Sequence, residues 1–528
     1  MNGADNGMRM LVSRKTLNKS CKRLFLLSAI LLLASACSSP VRPHDEPVSL
    51  AIASAQGDPG WDDFLDYLPS REDTSWFSTL NTGEVSLQQR LALIDTATTS
   101  IDAQYFLWLE DAVGSLSFER LLHVADRGVR VRLLLDDSFL AGEDAVVLAI
   151  DEHPNIEVRI YNPFEIRTEG MLTRYIENLN DLSRTNHRMH NKLLIGDSTV
   201  AIVGGRNIAD EYFGFGRERN FRDYDVFVAG KILPDLSSGF DIFWNSGWSL
   251  PVPEVEHRYA NDEDMSRLRM DLRASASKLD NWQIVNCSQA CDLSDGWQKL
   301  ASAMIQGEAE LLLDLPRFDQ QTPEQVAIRI SDILSKTNEE VLAVTAYLVP
   351  SDALIANIQV KTDEGVSVRF LTNSLASNNH VPAHTAYAHH RKALLQAGAD
   401  ISELRPDGLD HSLYETSGYT AKQFGLHGKV IIFDNNTVFI GTLNIDPRSM
   451  VLNTEMGLLI HSPKLNAQVR KDLLPGFSMR NSWLVKMDDE GKLSWHSHDG
   501  VLHSQPSGTF ERSVMDLLLE PLPIDDQM

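Results

Sequence analysis

The sequence predicts an α/β protein made of two related domains, and three observations carry that expectation. Segments with helical apolar periodicity alternate with short β-rich runs, the pattern of layered α/β domains. That order repeats after roughly 240 residues, a period too long for a solenoid and suited to a duplicated domain. One uncommon signature also occurs twice, His190-Asn191-Lys192 with Asp197 and His427-Gly428-Lys429 with Asp434. A single His-x-Lys-x4-Asp match would be weak, but each copy here has the same followers. An asparagine lies seventeen residues after each histidine, Asn207 behind Gly204-Gly205-Arg206 and Asn444 behind Gly441-Thr442-Leu443. An acid then follows in each half, Asp225 and Glu455.

The elements follow in order. Residues 87–98 read as an amphipathic helix, 101–108 as a strand, 115–127 as a helix and 129–135 as an apolar strand ending at Asp136-Asp137. The second half repeats this with a helix over 323–336, a strand over 340–348, a helix over 352–363, a strand over 366–372 and a helix over 388–396. Each signature opens an apolar, β-rich run, 189–195 and 426–433. On a strand, residues two apart share a face, so each histidine would project beside its lysine. Asp197 lies in Gly196-Asp197-Ser198 and Asp434 in Asp434-Asn435-Asn436, both turn compositions, so these aspartates are expected in turns that support the site. The resulting division is a signal segment over 1–36, a tether over 37–77, a first domain over 78–255, a linker over 256–300, a second domain over 301–475 and a C-terminal extension over 476–528. Within the extension, residues 510–519 carry a short apolar stripe ended by Pro521, read as packing on the protein's own core or as a surface for lipid.

The chain of 528 residues has a net charge of −25, and its first 36 residues hold six Lys/Arg against one Asp, so the remainder carries −30. Such acidity argues against a nucleic-acid partner, whose phosphates are bound by clustered cations. The basic start precedes an apolar run over 24–33, too short to span a bilayer, and small residues ending at Cys37. This predicts an export signal, cleaved before Cys37 in the manner of an ordinary signal peptide or a lipoprotein, or else retained as an uncleaved anchor. The remaining pair, Cys287 and Cys291, lacks the further ligands of a zinc site and is read as a short disulfide or as free thiols.

Two imidazoles, two ammonium groups and two carboxamides meet the needs of phosphodiester chemistry without a metal or cofactor. That chemistry requires an attacking group, a proton donor for the departing alcohol, and donors for the non-bridging oxygens. One histidine can attack phosphorus while the other shuttles the proton, which requires one neutral and one charged ring. A carboxylate on the far ring nitrogen would fix tautomer and charge, and Asp225 and Glu455 are the candidates. Tyr105, Arg206, Arg222 and Arg448 are read either as lining the pocket or as structural pairs.

The paired signature with its asparagines resembles the phospholipase D superfamily over most of the chain, from about residue 78 to the end. Further stretches, Thr372-Asn373-Ser374-Leu375 and Asn444-Ile445-Asp446-Pro447-Arg448-Ser449 with Asn453-Thr454-Glu455, are similar to the subgroup of C-type bacterial cardiolipin synthases. The resemblance implies two homologous α/β/α sandwich domains with mixed sheets and the active site at their interface. It implies His190 as nucleophile and His427 as acid then base, the reverse staying open, with Lys192, Lys429, Asn207 and Asn444 on the phosphate oxygens. It implies a phosphatidyltransferase that works on glycerophospholipids, phosphatidylglycerol or phosphatidylethanolamine, and yields cardiolipin. A hydrolytic phospholipase D, a nuclease-type phosphodiesterase and a non-catalytic lipid-binding envelope protein are the rivals. Leu33-Ala34-Ser35-Ala36-Cys37 resembles a bacterial lipoprotein box, which implies lipidation at Cys37 and, with Ser38 next, a periplasm-facing outer-membrane anchor. Many relatives carry serine where this chain has Gly205 and Thr442.

Overall fold

The computed structural model describes residues 48–52, 61–69, 72–279, 293–316, 325–509, 511–512 and 515–516. The export segment, Cys37, Cys287, Cys291 and the stripe residues Phe510, Val514, Leu517 and Leu518 lie outside them.

Nine strands come from the first half among the described residues: β1 (Ser75–Leu80), β2 (Ser100–Tyr105), β3 (Arg130–Asp136), β4 (Ile156–Tyr161), β5 (Leu193–Gly196), β6 (Val200–Gly204), β7 (Arg219–Arg222), β8 (Asp225–Gly230) and β9 (Ser249–Pro251). The second half adds β10 (Ile305–Leu313), β11 (Glu340–Val344), β12 (Ser367–Asn373), β13 (Asp400–Leu404), β14 (Gln423–Leu426), β15 (Val430–Phe433), β16 (Thr437–Gly441), β17 (Met456–His461), β18 (Ser482–Met487), β19 (Leu493–Ser497) and β20 (Gly500–Leu502). The first half orders its strands β9-β4-β3-β2-β5-β6-β8-β1, with the β2–β3 and β3–β4 pairs parallel and the rest antiparallel. The second half repeats the arrangement as β18-β13-β12-β11-β15-β16-β17-β10, parallel at the corresponding two pairs. The two mixed sheets are not separate. β1 pairs antiparallel with β10 over Ser75↔Gly307, Trp76↔Gln306 and Phe77↔Ile305, which relates the halves by a pseudo-twofold axis at that junction.

Both faces of the central strands are buried, which explains their nearly continuous apolar runs. Alternate residues serve different cores. Val226 and Val228 join Val203, Val438, Ile440 and Leu458 in a cluster shared by the halves, while Phe227 and Ala229 face the first half's own helices. Phe439 and Leu459 do the same on the second half's outer face.

Three of the main helices begin on side-chain caps, with Thr82 accepting from Val85 N, Asp111 from Gly114 N and Ser351 from Leu354 N. They span Gly83–Thr96, Ala112–Asp126, Gln325–Lys336, Asp352–Asp363 and Val381–Gln396.

Three expectations change. Within the stretch read as a tether, Trp61, Phe64 and Leu68 are buried beside Trp297, with Trp61 and Trp297 ring centroids 4.9 Å apart, so the part from residue 61 packs into the core. The stretch read as a linker contains a helix, Asp262–Ala276, whose Leu268 and Leu272 are buried in the first half's outer core. Regular pairing starts after each signature's lysine, at Leu193 and Val430, so neither histidine lies on a strand. Backbone bonds to the opposite half occupy that chain instead.

Candidate active site

The residue preceding each acid holds the residue opening each signature. His190 N donates to Thr454 O at 3.0 Å, and His427 N donates to Arg222 O at 2.8 Å. β7 and β14 form a parallel pair ending at Leu426↔Arg222, and a bridge joins Met189 to Thr454. Each half thus hands an acid to the other half's histidine. His190 Nδ1 lies 2.9 Å from Glu455 Oε2, and His427 Nδ1 lies 2.6 Å from Asp223 Oδ2. Occupying Nδ1 leaves Nε2 of both rings for chemistry.

Asp223, not Asp225, is therefore the first half's acid. Asp225 accepts from Ser86 Oγ at 2.7 Å and forms ion pairs of 3.0 Å with Arg90 and Arg206, tying the helix Gly83–Thr96 to the loop that carries Asn207. Sheet register explains the difference. Gly205 N donates to Tyr224 O and Thr442 N to Met456 O, so the residues before those carbonyls, Asp223 and Glu455, are equivalent. Asp225 corresponds to Gly457, the partner of Gly441.

The two acids are seated differently. Thr442 Oγ1 donates to Glu455 Oε2 at 2.5 Å. A Cβ at Gly205 would meet Asp223 Oδ1 at 2.1 Å, so the shorter acid occupies the space of a side chain there.

Lys192 Nζ donates to His190 O at 2.7 Å, and Lys429 Nζ donates to His427 O and lies 3.1 Å from His427 Nδ1. All four side chains are buried. Burial and the two lysine charges hold His190 well below the ordinary imidazole range. Burial and Lys429 push His427 down to about 3, against the opposing pull of Asp223. Lys192 is likewise driven down by burial and Lys429, while Lys429 falls to about 8 through burial. Each signature's lysine acts on the other signature's histidine, so the four groups form one electrostatic unit. These shifts favour the neutral form of both rings in the free protein, whereas the sequence suggests one neutral and one charged.

The acids diverge. Burial opposes the charge of Asp223, but His427, Lys429 and Arg206 outweigh it and hold the carboxyl below the usual range. Burial pushes Glu455 up to about 7 despite Thr442 and Lys192.

Aromatic edges wall the site, with Phe106 at 5.0 Å from the His190 ring and Tyr212 at 4.9 Å from the His427 ring. Asn207 and Asn444 are buried, each with its Oδ1 lacking a hydrogen-bond partner. Asp136 Oδ2 accepts from Met189 N at 2.9 Å, and Asn373 Oδ1 accepts from Leu426 N at 2.9 Å, pinning the chain just before each histidine. The sequence marks Asp136 only as a strand end and Asn373 only as part of a family-like stretch, and it does not single out Asp223, Phe106 or Tyr212. The strand-end position shared by Asp136 and Asn373 was the available signal.

The signature aspartates lie at the far ends of their strands, roughly 20 Å of extended chain from the histidines. Asp197 accepts from Trp61 Nε1 at 2.8 Å and from the backbone of Thr98, Thr99 and Ser100. Asp434 accepts from the backbone of Asn338, Glu339 and Glu340. Both adopt left-handed backbone, φ +51°, which aspartate tolerates in turns. Arg206 and Tyr105 belong to the Asp225 network, Tyr105 through Arg90 at 3.4 Å, and Arg222 donates to Asn81 Oδ1 at 3.0 Å. Arg448 donates to Asn186 O at 2.9 Å and its charge reaches His190.

Comparison with known proteins gives a concordant result. The family described as "Cardiolipin synthase, PLD-like domain" matches residues 91–244 and 330–474. Cardiolipin synthase C of Escherichia coli strain K12 is 35% identical over 454 residues, covering 83% of this chain and 92% of the relative. An uncharacterized protein of Helicobacter pylori strain ATCC 700392 / 26695 is 31% identical over 421 residues, covering 79% of each chain. In fold, the chain resembles the crystal structure of phosphatidylserine synthase from Haemophilus influenzae Rd KW20, with a TM-score of 0.51 at 14% identity over 80% of this chain and 92% of that one. The chain therefore belongs to the cardiolipin synthase family of phospholipase D-like proteins.

Proposed function

We propose that this chain is a phosphatidyltransferase that moves a phosphatidyl group from one glycerophospholipid, phosphatidylglycerol first, to a head-group hydroxyl of another, producing cardiolipin. The carrying observation is the crossed pair of buried dyads, His190 with Glu455 and His427 with Asp223, beside two buried lysines. His190 Nε2 displaces the donor's alcohol from phosphorus, forming the N–P bond as the P–O bond breaks, and His427, which takes up a proton from solvent at Nε2 as the anionic phosphodiester binds, gives it to the departing oxygen. His427, now neutral, takes the proton of the incoming hydroxyl, whose oxygen displaces His190 and restores a phosphodiester. Lys192, Lys429 and the amides of Asn207 and Asn444 hold the non-bridging oxygens.

The unequal acids support these roles. Asp223 keeps its negative charge and favours the imidazolium of His427 once the anionic phosphodiester arrives, whereas Glu455, pushed up to about 7, leaves His190 a neutral nucleophile. Attachment to the periplasmic side of the outer membrane through a lipid on Cys37 belongs to the same proposal and is supported by the basic and apolar start of the chain. Labelled palmitate should enter the native chain and not Cys37→Ser.

The decisive experiment incubates purified protein with phosphatidylglycerol vesicles and identifies the lipid products by mass. Cardiolipin and glycerol support transfer. Phosphatidic acid and glycerol alone would reject it in favour of hydrolysis. A donor with a nitrophenol head group, which leaves without a proton, should trap the phosphatidyl group on His190 in His427→Ala.

A further inference from the structure

The two halves share one strand order but not one interior. In the first half, Trp108 stacks on Phe118 at 4.6 Å, with Tyr105 edge-on to Trp108 at 5.4 Å. Register and helix starts align these residues with Leu348, Ile358 and Thr345. The adjacent ion-pair network is also missing, since Arg90, Arg206 and Asp225 correspond to Ile330, Leu443 and Gly457. Where the first half is filled, the second holds a cavity of about 630 Å³ between its sheet and the helices Gln325–Lys336 and Asp352–Asp363. That volume is within the range of about 300 to 1,000 Å³ usual for ligand sites.

Most of the walls are aliphatic, including Leu334, Val341, Ile358 and Ile431, with Ser331, Asp352, Asn357 and His390 among the polar residues, and a mainly apolar lining favours an apolar guest. The cavity reaches the surface at Val451, which is 61% exposed. It also abuts the catalytic loop. Ile445, Pro447, Met450 and Val451 line it, while Asp446 and Arg448 of the same loop act electrostatically on Lys429 and His190.

We propose that this cavity receives a hydrocarbon chain of the lipid substrate, holding one acyl tail while its phosphate lies between the histidines. The proposal rests on the phosphatidyltransferase reading for the identity of the lipid, but chain binding can be measured without turnover.

The test restores first-half residues in Ile358→Phe, the counterpart of Phe118, and in Ser331→Leu, the counterpart of Leu91. A dansyl-labelled long-chain fatty acid should bind the full-length protein saturably. Either variant, with an undiminished Tm, should weaken that binding by about tenfold. Transfer from a long-chain donor should fall in parallel, while transfer from a water-soluble dihexanoyl donor stays within about twofold of wild type. Absence of saturable probe binding, equal binding by a folded variant, or equal loss on both donors would overturn the proposal. If the wild type turns over neither donor, the phosphatidyltransferase reading fails, and the probe titration alone decides the cavity.

Discussion

Asp223 Oδ2 lies 2.6 Å from Nδ1 of His427, 204 positions away in the chain, while the histidine of its own half, His190, is bound by Glu455. Each dyad therefore exists only while the halves stay docked, and the parallel β7–β14 pair holds one of them in register.

Replacing Asp223 and replacing Asp225 should have opposite signatures. Asp223→Asn keeps the fold and removes the charge that favours the His427 imidazolium, so kcat is expected to fall by about 10²- to 10⁴-fold with little change in Tm. Asp225→Asn leaves Arg90 and Arg206 buried without their counter-ion, a loss of about 3–5 kcal/mol in unfolding free energy. Kinetics beside denaturant unfolding separates the two.

Lys429 gives the pH dependence a defined alkaline limb. A lysine attracts phosphate by its charge only when protonated; Lys429 is pushed down from 10.5 to about 8, and Lys192 is lowered as well. The free enzyme's kcat/KM should therefore decline above about pH 8. Lys429→Arg, whose side chain stays charged, should move the limb upward even if the maximal rate is lower.

Linkage at His427 predicts acid sensitivity. Its folded value, about 3, lies below the unfolded 6.5, so the unfolded chain binds more protons between these values and stability falls as pH drops through that window. His427→Gln removes this group and should flatten the dependence of the unfolding midpoint between pH 6.5 and 4. An unchanged slope would locate the sensitivity elsewhere.

The seats of the two acids should respond unequally to substitution. Serine at position 205 would push against Asp223, since a Cβ there falls 2.1 Å from Oδ1. Gly205→Ser should lower kcat by about tenfold or more as the dyad is displaced. Thr442→Ser keeps the hydroxyl on Glu455 and should be nearly silent, whereas Thr442→Val should not.

The buried N-terminal aromatic contributes to stability rather than chemistry. Trp61→Ala removes a side chain that is 1% exposed and the bond from Nε1 to Asp197, so a loss of about 3–5 kcal/mol is expected. Any folded fraction should retain wild-type KM.

The α/β class, the duplication and the pairing of His190, Lys192, His427 and Lys429 are legible along the chain, because periodicity and a repeated motif are local patterns. Asp197 and Asp434 are legible there as turn residues, since their neighbours have turn chemistry. Which acid serves which histidine emerges only when the chain is folded. Asp223 and Asp225 are two residues apart, so alternation cannot separate them, and only the register of β6 on β8 against β16 on β17 makes Asp223 the equivalent of Glu455. The exchange of acids between halves was equally invisible, because it depends on backbone bonds from His190 to Thr454 and from His427 to Arg222, contacts between segments that chain order leaves more than 200 positions apart.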